Sequence, residues 1–93
     1  MRKLTLTTLL LLALGTAWAQ DGAAVFKSKC AHCHGAQGQG KHGPKLAGTS
    51  LSEDEIVNVL TKGGQPKAPH VQAYKGVDES TAKQVAAYVK TLK

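Results

Sequence analysis

Aromatic side chains are scarce in this sequence. Its aromatic residues are Trp18, Phe26, Tyr74 and Tyr88, and its single methionine is Met1. A small chain buries a poor fraction of its surface and usually needs a staple or a cofactor to hold together. The staple is not a disulfide framework: the only cysteines, Cys30 and Cys33, stand three apart. A bridge between them would close a tiny loop of little stabilising value. No segment alternates apolar and polar residues long enough to suggest a strand, and there are no internal repeats. No nucleophile–base pair or convincing pair of carboxylates is evident, so enzymatic chemistry is not expected. The chain is basic, with a formal charge of +6, but sparse aromatics argue against nucleic-acid binding.

The first residues have the pattern of an export signal. Met1-Arg2-Lys3 is basic, Leu4 to Leu14 is apolar apart from three threonines, and Ala17-Trp18-Ala19 supplies small residues for a peptidase. Residues 1–19 are therefore expected to be a cleaved signal peptide and 20–93 the mature domain. A retained anchor fits less well, since a span needs roughly 20 apolar residues. Cleavage would remove Trp18 and Met1 together with Arg2 and Lys3. It would leave a basic chain with no methionine, exported into the periplasm and holding no membrane span.

Three segments carry helical signals, and the expected class is all-α. The first starts at Asp21, a candidate N-cap, runs through Phe26 towards Cys30 and His34, and ends at Gly35. The second opens with Ser52-Glu53-Asp54-Glu55, a capping-box pattern with three acids at the positive end of the dipole. Ile56, Val57, Val59 and Leu60 supply its apolar face, and Gly63-Gly64 stops it after Lys62. The third is expected from Asp78 to about Leu92, with Ala82, Val85, Tyr88 and Leu92 at helical spacing. Residues 63–77, holding Pro66 and Pro69, read as loop.

Cys30-Ala31-His32-Cys33-His34 is a C-x-x-C-H sequence, the attachment signature of c-type haem. On a helical turn, residues three and four apart share a face. Two thiols so placed can add across the vinyl groups of one haem, while the next imidazole reaches the iron. A redox C-x-x-C would require a thioredoxin-like alternation of strands and helices, which is missing. A zinc site on Cys30, Cys33, His34 and His42 has enough ligands, yet explains neither the export signal nor the thin core. Haem explains both.

With that motif, the chain resembles the class I monohaem cytochromes c over essentially all of residues 20–93. Asp21 to Phe26 is similar to the family's N-terminal helix, Gly43-Pro44-Lys45-Leu46-Ala47-Gly48 to the segment after the haem motif, and Ala86-Ala87-Tyr88-Val89 to the C-terminal helix. The resemblance implies three main helices around one covalent haem, with Gly22 and Phe26 packed against Tyr88. It also implies a hydrogen bond from the His34 imidazole to the carbonyl of Pro44. Leu46 and Tyr74 would lie among the haem contacts.

One departure stands out. Most members of that family use methionine as second axial ligand, in a loop before the last helix. In the matching loop here, Lys67-Ala68-Pro69-His70-Val71-Gln72-Ala73-Tyr74, the ligand slot holds His70. His32 lies inside C-x-x-C, where intervening side chains face away from the iron. His42 lies on the proximal side and would have to cross the haem plane. His70 is the expected second ligand, with a water, a lysine or an open position as the alternatives. A second imidazole in place of a thioether favours Fe(III) and lowers the potential.

The resemblance implies an electron carrier, since two filled axial positions leave nowhere for a substrate. The rival reading is a haem-based sensor in which His70 is labile. Lys27, Lys29, Lys41, Lys45, Lys67 and Lys75 surround the expected pocket and would attract an acidic redox partner. They also suit simple solubility. A monomer is expected.

Overall fold

The computed structural model describes residues 21–93, so the expected leader and its cleavage site lie outside the described residues. The described chain is helical with no strand, as the patterning predicts. No helix among the described residues is long and apolar enough to cross a membrane.

Helix α1 covers residues 21–34, α2 is Glu53–Lys62 and α3 is Glu79–Val89. Asp21, expected as the cap of α1, already lies within it. The helical register there sets Gly22 against α3. A Cβ on Gly22 would lie 2.1 Å from the Gln84 backbone oxygen, so only a residue without a side chain permits this approach. One turn on, the Phe26 ring meets Tyr88 at 5.4 Å between centroids, tilted by 57°, a favourable edge-to-face class of contact.

Helix α1 is not regular. Phe26–Cys30 forms a π turn, closed by the Ala31 N–H donating to the Phe26 carbonyl, before α geometry resumes over Ala31–His34. Single π turns widen a helix locally and rotate whatever follows. Phe26 consequently stays fully buried, Cys30 and Ala31 edge the core, and His34 is buried outside that core cluster. Gly35, at φ 88°, ends the helix.

Helix α2 begins as its sequence predicts. The Ser52 hydroxyl accepts from the Glu55 N–H at 3.1 Å, and the Glu55 carboxylate accepts from the Ser52 N–H at 3.0 Å. Asp78 caps α3 by accepting from the Thr81 N–H at 2.8 Å. Helix α3 ends at Val89, shorter than expected. Beyond it, the Thr91 and Leu92 N–H groups turn back to the carbonyls of Tyr88 and Val89, tightening the final turn. Leu92 still packs against the core from that turn.

The core is one cluster. Phe26 of α1, Ile56 and Leu60 of α2, and Ala82, Val85, Ala86 and Val89 of α3 meet there with Val77. Phe26 and Val89 are its largest fully buried side chains. Burying each such side chain contributes about 1.5–3 kcal/mol, and few are present. Lys90 adds a polar clamp, its ammonium donating to the carbonyls of Thr49 and Leu51 at 3.1 and 2.8 Å. That clamp ties the loop before α2 to the end of α3.

Candidate haem site

The last turn of α1 carries Cys30, Cys33 and His34. Both cysteines are half-buried and not bridged to one another. Burial pushes the Cys30 thiol up to about 11, with Lys29 opposing this and Cys33 adding to it. No three His, Cys, Asp or Glu side chains among the described residues converge on one point. Cys30, Cys33, His34 and His42 are therefore not arranged as a four-ligand zinc centre.

The loop after α1 is folded onto the end of that helix by its own backbone. The Gly40 N–H donates to the His34 carbonyl at 2.7 Å, and the Gly43 N–H to the Cys33 carbonyl at 2.6 Å. These bonds satisfy carbonyls that a helix end leaves open. They also lay Gly43 across the His34 ring, where a Cβ would come within 2.8 Å of Cε1. The next residue, Pro44, offers its carbonyl to His34 Nδ1 at 2.7 Å. A carbonyl can only accept, so Nδ1 carries the hydrogen and Nε2 keeps its lone pair for a metal.

The loop over residues 63–77 brings up the opposite side. The Gly64 N–H donates to Val71 and the Gln65 N–H to His70, each at 2.9 Å, while the Tyr74 N–H reaches Leu60 at 2.8 Å. These bonds bracket His70, whose ring is half-buried. Its Nδ1 is buried and has no hydrogen-bond partner. Burial first, and then the neighbouring His34, hold the His70 imidazole below its ordinary pKa, in the neutral form that binds metals.

The His34 and His70 rings lie 6.2 Å apart between centroids and within 24° of parallel. An imidazole nitrogen bonds a first-row metal at about 2.0–2.1 Å and sits about 1.1 Å from its ring centre, so two rings on opposite sides of one ion are about 6.3 Å apart. The spacing of the rings and the free Nε2 on His34 are compatible with a metal ion between them. Cys30 and Cys33, on the turn that carries His34, suit a haem rather than a bare ion.

The remaining expected residues fall as follows. Tyr74 stands beside His70, ring centroids 5.6 Å apart, and its hydroxyl donates to the Lys29 carbonyl at 3.0 Å. Leu46 is half-buried against the core cluster. Lys27, Lys29, Lys41, Lys45, Lys67 and Lys75 are all exposed. His32 and His42 are exposed, with ring centroids 6.2 Å apart. Two contributors escaped the sequence reading: the bare Gly43 against the His34 ring and the Lys29 carbonyl. The first had a faint signal, a glycine before the proline of the haem-side loop. A backbone carbonyl has none.

These features define a c-type cytochrome domain. A family model described as cytochrome C oxidase, cbb3-type, subunit III matches residues 17–89, and the chain belongs to that family. Among curated proteins, a cytochrome c-553-like protein of Synechocystis sp. is 38% identical over 56 residues, covering 58% of this chain and 53% of that protein. The chain thus spans about half the length of the curated relative it matches. No solved structure matches it. The cofactor of the family is covalently bound haem c with its iron, and the spacing of Cys30 and Cys33 suits it.

Proposed function

We propose that this domain carries single electrons in the periplasm, through a haem attached at Cys30 and Cys33 and ligated by His34 and His70. The observation that carries the reading is the 6.2 Å facing of the two imidazoles. When bound, the haem accepts and returns one electron as its iron cycles between the ferric and ferrous states.

The chain's own residues do the rest. Pro44 holds His34 in one tautomer through the 2.7 Å bond and makes its free nitrogen more basic. Gly43 closes over that ring and limits its rotation. His70 would supply the second ligand from a loop anchored on Leu60 and Lys29. Two protein ligands leave no position for a substrate, which favours electron transfer over catalysis. Imidazole in the place of a methionine thioether lowers the potential relative to a His/Met relative. The exposed lysines present a positive surface to an acidic redox partner, an attraction that salt weakens.

One observation favours the rival sensor reading. The buried Nδ1 of His70 lacks the hydrogen-bond acceptor that Pro44 provides to His34, which would make His70 the weaker ligand. Spectra of the purified protein separate the two. A carrier is low-spin in both oxidation states and indifferent to carbon monoxide, whereas a sensor binds carbon monoxide once reduced. A high-spin ferric spectrum at neutral pH would overturn the bis-histidine assignment. His70→Met should then raise the potential, and an unchanged potential would remove His70 from the iron.

A further inference from the structure

We infer that His32 and His42 form a site for one divalent transition-metal ion on the protein surface, separate from the haem. Their ring centroids are 6.2 Å apart, about an ångström wider than two imidazoles on one tetrahedral ion, a gap that rotation of two exposed side chains closes. The 42° between the ring planes is no obstacle, because an imidazole can rotate about its metal–nitrogen bond.

Both backbones are already fixed. His32 stands on the α turn Ala31–His34. His42 stands on a segment pinned on both sides: the Gly40 N–H donates to His34, the Lys41 N–H to Gly43 and the Gly43 N–H to Cys33. Binding therefore orders side chains but not a loop, which keeps its entropic cost low. Both rings are exposed to solvent, so an ion can reach them without opening the fold.

The donor set selects the ion. Two imidazoles with no converging carboxylate suit copper(II), nickel(II) or zinc(II), and offer nothing to calcium or magnesium. Lys41, next to His42, opposes a cation through space, but in water at physiological salt that repulsion is small. Two protein ligands leave the ion's other positions facing outward, to be filled by water. The site does not depend on which residues ligate the haem iron.

The test is calorimetric titration of the oxidised, haem-loaded protein with zinc(II), followed in parallel by the haem absorption spectrum. One zinc ion should bind per chain with the spectrum unchanged. His32→Gln and His42→Gln should each weaken binding at least tenfold, and the double variant should lose no more than either alone. Absence of binding, or binding that both single variants retain, would overturn the site. So would losses that simply add in the double variant, since those report two separate single-histidine sites. A haem spectrum turning high-spin as zinc enters would show the ion taking the axial histidines, and would equally sink the assignment. Should His32→Gln fail to retain haem, because it lies inside the attachment motif, His42→Gln decides alone.

Discussion

The Tyr74 hydroxyl donates to the carbonyl of Lys29 across 45 residues of sequence, at 3.0 Å. It joins the loop carrying His70 to the residue immediately before Cys30, so the two sides of the candidate site are tied by one side chain. Tyr74→Phe keeps the ring beside His70 and removes only this bond. A single hydrogen bond of this kind is worth about 0.5–1.5 kcal/mol, and denaturant midpoints should fall accordingly. The reduced variant should also begin to bind carbon monoxide, which the wild type does not, because the His70 loop opens more often. A variant as indifferent to carbon monoxide as the wild type would mean that the bond serves stability alone.

Gly43 should resist substitution for lack of room. A Cβ there would lie 2.8 Å from His34 Cε1 and 3.0 Å from Nδ1. Gly43→Ala must shift either the ring or the Pro44 carbonyl, and overpacking of this kind costs about 1–3 kcal/mol. The expected signs are a lower melting temperature and a changed potential. A variant with wild-type values for both would show that the loop moves aside freely.

The contact of α1 with α3 at Gly22 predicts a larger effect. A Cβ there would strike the backbone of Gln84, and Tyr88 lies close by at 3.1 Å. Backbone cannot swing away as a flexible side chain can. Gly22→Val should push the helices apart, weaken the Phe26–Tyr88 contact and lower the unfolding midpoint. Yield of haem-loaded protein should fall in step. Stability equal to the wild type would refute the close approach.

Acid should weaken the helix starts. The hydrogen bonds from the backbone and side chain of Ser52 hold Glu55 below its ordinary pKa of 4.5, and those from Thr81 hold Asp78 below 3.8. The unfolded chain thus binds more protons than the folded one between each lowered value and the ordinary one. Stability from both caps is complete above about pH 5 and is lost as pH falls through that window. Urea unfolding from pH 6 to pH 3 should show the decline, and Asp78→Asn should flatten its lower part. A variant that declines as steeply as the wild type would exclude Asp78 as a source.

Much of this protein was legible residue by residue because the governing interactions are local. Ser52 and Glu55 are three apart and cap one another within a single turn. Cys30, Cys33 and His34 declare their chemistry by helical spacing alone, and the absence of methionine after residue 1 pointed to His70. The helical class followed from apolar periodicity, with ends misplaced where a turn tightened, as after Val89, or where helical geometry already included Asp21.

The tertiary structure decided what depends on partners distant in sequence or anonymous in it. The π turn of Phe26–Cys30 is a choice of backbone hydrogen bond, between residues whose side chains favour no particular register. The Lys29 and Pro44 carbonyls, and those of Thr49 and Leu51 under Lys90, belong to every residue type and leave no mark in a sequence. The facing of His34 and His70, and that of His32 and His42, required loops to close over the helix end. Spacing along the chain could nominate those four imidazoles, but only the folded backbone could sort them into pairs.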